Sequence, residues 1–291
     1  MVWFWLLVAC DDNSNPVQES TQSEVLPGKP TLNEEGQNKI EKTIYEVLGC
    51  GNTFRSQTID PAIECMQKGE GMSFVSVEIS IPPSELNHGV SKMLVMQSEV
   101  TQGFYKKVMN KESVHDCENN LNKAEPAVGQ PIYCISFQEV AEFANTLSEK
   151  VGLRPCYDLS EEVIRFRDGL RCTGYRLPTM IEWRFLAPSI REDSIGDYAW
   201  FAGNAQEQTH PVAQKKPNVM GLYDVYGNVS EWVWKDEQEV PFTDVLSGEK
   251  RISVGGSAGD VYANLQYEEA RVLPSTKVDE GTGFRLLRVL Q

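Results

Sequence analysis

A regular alternation of apolar and polar residues marks the first strong element of the chain, shortly after residue 70. Its apolar positions are Val75, Val77, Ile79 and Ile81. A period of two places these side chains on one face of an extended segment, which predicts a half-buried β-strand. Two prolines follow directly, and they end the strand because proline lacks the backbone N–H that a sheet requires.

Helical periodicity is clearest from Ser136 to Val151. The apolar face consists of Val140, Phe143, Ala144, Leu147 and Val151. Ser136 and Glu139 have the spacing of a capping box, in which each side chain accepts a hydrogen bond from the other residue's backbone N–H. Gly152 follows as a residue type that commonly ends helices. The pattern therefore predicts an amphipathic helix that packs one face on the core.

Two shorter helices are indicated by the residues that begin them. Thr101 is placed to cap a helix that runs to about Met109. Thr179 and Glu182 form a second capping box, and Pro188 limits that helix. Beyond it the chain is rich in glycine, asparagine and proline, with only short apolar runs. This composition predicts many loops and short strands.

The N-terminal residues have the composition of a targeting segment. A short apolar run ends at Cys10, and Leu7-Val8-Ala9-Cys10 resembles a bacterial lipobox, whose cysteine receives the lipid. The run is shorter than the roughly 20 residues that span a bilayer. We interpret residues 1–10 as a lipoprotein signal, with a fragment of a plain signal peptide as the alternative. The first interpretation places the protein in the bacterial cell envelope, lipid-anchored on the periplasmic or surface side.

The rest of the chain divides into three parts. Residues 11–40 are polar, with few large apolar side chains, which predicts a disordered tether. Residues 41–70 form a small capping segment, and residues 71–291 form the main domain. The whole chain of 291 residues has a formal net charge of −15 and shows no basic cluster. Nucleic acid is therefore excluded as an expected partner, because phosphate contacts need concentrated lysine and arginine.

Six cysteines remain after Cys10, namely Cys50, Cys65, Cys117, Cys134, Cys156 and Cys172. An even number in an exported chain predicts disulfides, although six cysteines permit many pairings and the sequence does not choose among them. We predict pairing in sequence order, which closes three short loops. Zinc is the disfavoured alternative, because the chain has no Cys-x-x-Cys pair and only three histidines.

Five signature segments follow one another in the second half of the chain. They are Gly174-Tyr175-Arg176-Leu177-Pro178-Thr179, Gly221-Leu222-Tyr223-Asp224, Gly227-Asn228-Val229-Ser230-Glu231-Trp232, Gly255-Gly256-Ser257 and Gly283-Phe284-Arg285. In this order they resemble the formylglycine-generating, sulfatase-modifying-factor family over about residues 71–291. The resemblance implies one α+β domain of the formylglycine-generating-enzyme fold, C-type-lectin-like, disulfide-braced and low in regular secondary structure. Exported relatives often carry cysteines resembling the pairs Cys117/Cys134 and Cys156/Cys172.

We interpret several large residues in and near these segments as structural rather than as ligand-binding residues. The expected core aromatics are Trp183, Trp232 and Trp234. The arginines expected to pair with buried acidic residues are Arg176, Arg271 and Arg285. Among these three, Arg271 has the best claim to line a cleft.

The resemblance also implies structural calcium. The groups it assigns to one ion are the carboxylates of Asp224 and Glu231 and the carbonyl oxygens of Gly227 and Val229. Calcium takes six to eight oxygen ligands, and a loop of this kind supplies such oxygens. A second family site would use Asn204 and the carbonyl of Ala205, with partners that the sequence does not identify. The alternative is that Asp224 and Glu231 only accept hydrogen bonds from backbone amides.

The resemblance is weakest where the family's oxidases carry out their reaction. Those enzymes bind copper through a cysteine pair that follows the Gly-Gly-Ser segment, whereas residues 257–267 contain no cysteine here. The hydroxyl, amide, carboxylate and phenol groups of this stretch hold Cu(I) poorly, so copper is not expected. If the chain retains an activity, its cleft would be lined by Ser257, Asp260, Tyr262, Tyr267 and Arg271.

Three functions follow from this sequence. The first is a membrane-tethered, non-catalytic domain that binds a peptide, a glycan or an envelope protein. The second is a family enzyme, an oxidoreductase acting on protein, with an active site that the sequence does not locate. The third is an accessory lipoprotein of a surface complex. We favour the first, because residues 257–267 lack the thiols that formylglycine chemistry requires.

Overall fold

The structure is a computed structural model that describes residues 69, 71–80, 90–112, 128–161, 163–234, 250–266, 270–274 and 278–290. The signal segment with Cys10, the tether and nearly all of the capping segment lie outside these residues. The same holds for Cys50, Cys65, Cys117 and Tyr267.

The alternating segment forms strand β1, Phe74–Ser80, as predicted. It pairs antiparallel with β2, Val90–Met96, which pairs antiparallel with β9, Leu287–Leu290. Phe74, at the start of the strand, packs into one hydrophobic core. On the other face, Val75 and Val77 are buried in a second core, whereas Ser76 is half-buried and Glu78 is exposed, so the half-buried prediction is confirmed for the alternating positions.

The three predicted helices are α1, Gln102–Met109, α2, Phe137–Lys150, and α3, Met180–Leu186. Their caps are confirmed: the Thr101 hydroxyl accepts from the Phe104 N–H at 3.1 Å, and both capping boxes are formed. Gly152 follows α2 with a φ of 73°, a left-handed conformation that glycine adopts without strain. Helix α2 buries its apolar face in the first core.

A second sheet carries parts of the C-terminal signature segments. Its strands are β5, Ser230–Val233, β6, Lys250–Val254, β7, Arg271–Pro274, and β8, Thr282–Gly283. They lie in the order β7-β6-β5-β8. A short hairpin is formed by β3, Tyr157–Asp158, and β4, Arg165–Phe166. Short 3-10 helices occur at Gly169–Arg171, Ile195–Asp197 and Tyr262–Leu265. Residues 188–229 form the predicted loops, with no α-helix and no strand apart from isolated bridges, and the predicted short strands begin at β5.

Two hydrophobic cores and a disulfide hold these elements together. Trp183 and Trp232 are fully buried, as predicted, and Trp234 is partly buried against the first core. Cys156 and Cys172 form the predicted disulfide. Cys134 is also disulfide-bonded. Among the residues described, no helix has the length and apolar character that crossing a membrane requires.

Candidate functional site

The signature loop 224–231 ends in a buried ion pair. Glu231, on β5, is fully buried, and its Oε1 accepts from Arg285 Nε at 2.7 Å. Its Oε2 accepts from the indole N–H of Trp183 at 2.9 Å. Arg285 also donates to the Tyr223 carbonyl at 2.8 Å. The prediction of a buried partner for Arg285 is confirmed, and the pair joins the C-terminal segment to helix α3.

A second buried carboxylate, which the sequence did not assign to the site, lies beside this pair. Glu99 follows β2 and accepts hydrogen bonds from the Val229 N–H at 3.0 Å and the Asn228 amide at 2.9 Å. Burial and the nearby charges of Asp224 and Glu231 raise the pKa of Glu99 well above its ordinary value. Its partners lie about 130 residues away in the chain, so no local pattern of the sequence marks Glu99 as part of this cluster.

Asp224 is the third buried carboxylate of the cluster. Its Oδ2 accepts from the Ala213 N–H at 2.6 Å, whereas its Oδ1 is buried without a hydrogen-bond partner among the described residues. Burial is the largest cause that raises the pKa of Asp224 to about 6. Arg285 interacts with all three carboxylates and Lys215 with Asp224, so two cations face three carboxyl groups in this cluster.

The predicted first calcium site fits this geometry in part. The Oδ1 atom of Asp224 is an oxygen without a protein donor, as a cation ligand would be. Both oxygens of Glu231 already accept from Arg285 and Trp183. Gly227 has a φ of 75°, and a Cβ there would lie 2.0 Å from the Trp200 carbonyl oxygen. Within the described ranges, no group of three or more His, Cys, Asp or Glu residues could hold a metal ion.

The groups assigned to the second calcium site have protein partners. The Asn204 side chain accepts from the Phe201 N–H at 3.0 Å and donates to the Ala199 carbonyl at 3.0 Å. The Ala205 carbonyl lies 3.1 Å from His210 Nε2. His210 stacks on Trp200 with ring centroids 3.8 Å apart. These contacts give Asn204 and Ala205 a structural role, in which they fix the loop against the stacked rings.

The predicted cleft residues form a connected polar chain at the edge of the second sheet. The Ser257 N–H and hydroxyl both donate to Asp260 Oδ2, each at 2.7 Å. The other oxygen of Asp260 accepts from the Arg271 guanidinium. Arg271 also lies 3.9 Å from Asp279 and is 37% exposed. Ser257, Asp260 and Arg271 therefore lie together, and their place in a cleft stays a prediction.

The other two cleft candidates do not join this chain in the described structure. The Tyr262 hydroxyl donates to the Ile190 carbonyl at 2.9 Å, which ties the short 3-10 helix to another loop. Tyr267 lies outside the described residues. In the cluster that remains, both oxygens of Asp260 accept hydrogen bonds, one from Ser257 and the other from Arg271.

Fold and site together define a disulfide-braced α+β domain whose signature loops surround a buried acidic cluster. The sequence matches the family described as "Sulfatase-modifying factor enzyme 1-like domain" over residues 67–290. The chain belongs to this family.

Three known proteins are similar to this chain in sequence or in structure. A curated protein of Paenibacillus barcinonensis, "Chaperone protein LppX", is 28% identical over 205 residues, covering 57% of this chain and 69% of that protein. "Treponema denticola variable protein 1" is similar in structure, with a TM-score of 0.58 and 24% identity over 75% of this chain and 94% of that one. The crystal structure of CarF gives a TM-score of 0.57 and 25% identity over 74% and 96% of the two chains.

Proposed function

We propose that this protein is a lipid-anchored, non-catalytic binding domain of the bacterial envelope whose ligand is a polypeptide. The observation that carries the proposal is that polar side chains at and after the Gly-Gly-Ser segment form hydrogen bonds with one another. Ser257, Asp260 and Arg271 are bonded to one another, where the family's oxidases are expected to present a thiol pair. Groups held in this way stiffen a surface rather than carry out redox chemistry.

The choice of a polypeptide over a glycan has separate support. The curated relative from Paenibacillus barcinonensis is described as a chaperone protein, and chaperones bind polypeptides. At 28% identity this description supports a proposal for the present chain and no more. The rigid, disulfide-braced scaffold is consistent with such a role, since a preorganised surface loses little entropy on binding.

The test measures how tightly this protein binds an unrelated test protein that has been reduced and carboxymethylated so that it cannot refold. The affinity is compared with that for the native form of the same test protein and with that for a panel of oligosaccharides. We expect saturable binding to the unfolded protein and at least tenfold weaker binding to the native form. Binding to oligosaccharides alone, or to none of these ligands, would overturn the proposal.

The anchor is tested by replacing Cys10 with serine. A thioether-linked lipid needs the cysteine sulfur, so Cys10→Ser is expected to move nearly all of the protein from the membrane fraction to the soluble fraction. Cell fractionation followed by immunoblotting measures this shift. Ser14→Ala, in the adjacent polar segment, serves as a control that keeps Cys10 and should leave the fractionation unchanged. A Cys10→Ser variant that sediments with membranes as fully as the parent would contradict the anchor.

We also propose that the loop around Asp224 and Glu231 binds one calcium ion. The support is the buried Asp224 Oδ1 atom, which has no hydrogen-bond partner in the described part of the chain. A ligand that binds only the folded state stabilises that state as its concentration exceeds its dissociation constant. Chelator is therefore expected to lower the melting temperature of the parent, and added calcium to restore it.

The substitution Asp224→Asn distinguishes two roles of this side chain, calcium binding and hydrogen bonding. Asparagine keeps an oxygen for the Ala213 N–H and tolerates the left-handed φ of 52° at this position. With chelator at neutral pH, Asp224→Asn is expected to be more stable than the parent, because it removes a buried charge. The variant should also lose the response to calcium. If it responds to calcium as the parent does, the assignment of the ion to Asp224 is wrong.

The raised pKa of Asp224 gives this experiment a pH signature. Because its pKa is raised to about 6 in the folded state, the carboxyl binds its proton more tightly there than in the unfolded chain. Its contribution to stability is complete below the ordinary carboxyl pKa and is lost as the pH rises through about 6. The advantage of Asp224→Asn in chelator should therefore grow between about pH 4 and pH 7, as measured by thermal unfolding.

A further inference from the structure

We infer that the ammonium group of Lys215 is the cation that holds the loop 196–216, in the place where the family resemblance implies a second calcium ion. The inference depends neither on the polypeptide-binding function nor on the calcium ion proposed at Asp224. It predicts a loop that keeps its structure when all metal ions are removed.

Lys215 contacts three kinds of electron-rich group. Its Nζ donates to the Gly196 carbonyl at 2.7 Å and lies 3.8 Å from the centroid of the Trp200 ring. The carboxylates of Asp197 and Asp224 attract the same charge. The lysine side chain is half-buried, so solvent and salt screen these interactions less than those of an exposed lysine.

The ammonium group belongs to the same network as the residues assigned to the second calcium site. The Gly196 carbonyl that accepts from Lys215 also lies 3.4 Å from Asn204 Nδ2. The Ala205 carbonyl lies 3.1 Å from His210 Nε2, and this imidazole stacks on the indole that the ammonium group contacts. A cation is therefore already present among the groups that the resemblance assigns to calcium.

The oxygens of this loop have protein donors. Asn204 Oδ1 accepts from a backbone N–H at 3.0 Å, and the Ala205 carbonyl accepts from the Gln208 N–H at 3.1 Å. The Asp197 carboxylate accepts from Lys216 at 2.8 Å on the surface. Calcium takes about six to eight oxygen ligands, so an ion here would have to displace these donors.

The indole ring of Trp200 also distinguishes an ammonium group from calcium. The face of an aromatic ring attracts an ammonium group within about 6 Å of the ring centroid. The same face offers no oxygen atom, whereas calcium binds oxygen ligands at roughly 2.3–2.6 Å. A position beside this ring therefore suits Lys215 better than it suits a calcium ion.

The test compares Lys215→Gln with Lys216→Gln, which removes the same charge from the neighbouring residue. The side chain of Lys216 is 65% exposed and pairs with Asp197 at the surface. Glutamine keeps an N–H donor, so the comparison isolates the charge. In chelator, Lys215→Gln is expected to lower the melting temperature by at least about 3 °C and Lys216→Gln by less than about 1 °C. Lys215→Arg, which keeps the charge, should recover at least half of the loss.

The number of bound calcium ions is the second measurement. Equilibrium dialysis with radioactive calcium is expected to show at most one ion per parent chain and none on Asp224→Asn. A parent that binds no calcium would contradict the ion proposed at Asp224 and would leave the role of Lys215 standing. The same holds if Asp224→Asn keeps an ion that the further substitution Asn204→Ser does not remove.

Three results would overturn the inference. The first is an equal loss of stability in the two glutamine variants. The second is a loss in Lys215→Arg as large as that in Lys215→Gln. The third is a calcium ion that Asp224→Asn retains and that Asn204→Ser removes, because that ion would occupy the place assigned to the lysine.

Discussion

Replacement of Arg285 by alanine is expected to destabilise the folded protein by about 3–5 kcal/mol, the usual cost of removing one partner of a buried ion pair. The variant leaves Glu99, Asp224 and Glu231 buried without the guanidinium that they share. Three backbone carbonyls, those of Met96, Gln97 and Tyr223, also lose a donor. Because a typical domain is stable by only about 5–15 kcal/mol, much of the purified variant should unfold in mild denaturant.

Urea unfolding followed by tryptophan fluorescence measures this loss. The control is Arg191→Ala, which removes an arginine that is 85% exposed and paired with Asp193 at the surface. An exposed pair of this kind is expected to contribute less than about 1 kcal/mol. The penalty of Arg285→Ala should shrink in acid, where Glu99 and Asp224 take up protons. A loss no larger than that of the control would contradict the buried-cluster description.

Removal of the disulfide between Cys156 and Cys172 is the second large effect that we expect. The bridge closes a loop with a sequence separation of 16 and joins the start of the β3–β4 hairpin to the residue after a 3-10 helix. In the chain-entropy account, a loop of this length contributes about 3 kcal/mol, because the cross-link restricts the unfolded chain. The double variant Cys156→Ala, Cys172→Ala should lose about this much stability.

Chemical denaturation of the double variant and the parent, both without reductant, gives the difference. The parent in reductant provides an internal comparison and should fall towards the stability of the variant. The calcium response should survive in the double variant, because the loop around Asp224 lies in another part of the domain. If the double variant unfolds at the same denaturant midpoint as the parent, the disulfide does not stabilise the fold.

The elements that could be predicted from the sequence are those determined by local rules. Thr101, Ser136 and Thr179 cap helices as their spacing indicates, because capping involves residues only three positions apart. A buried acidic partner was also expected for Arg176, and the structure shows that this partner is Glu182, with two hydrogen bonds of 2.7 Å each. The fold as a whole was predicted from the resemblance of the signature segments to the family.

The parts that escaped prediction depend on contacts between distant segments. Glu99 joins the buried cluster through Asn228 and Val229, and no periodicity along the chain signals such a contact. The burial of Phe74 on the face of β1 opposite to Val75 depends on which elements pack over that end of the sheet, which a local pattern does not contain. Similarly, the position of β7 at a sheet edge follows from topology, and Val272 read alone is an ordinary strand residue.

The most direct test of the central claim is an assay for formylglycine formation. The protein would be loaded with Cu(I), given oxygen and a sulfatase-type cysteine peptide, and the product examined by mass spectrometry against a control with copper alone. The account predicts no aldehyde above that control, because Ser257, Asp260 and Arg271 are bonded to one another and residues 257–267 carry no thiol. Aldehyde formation above the control would contradict the non-catalytic assignment.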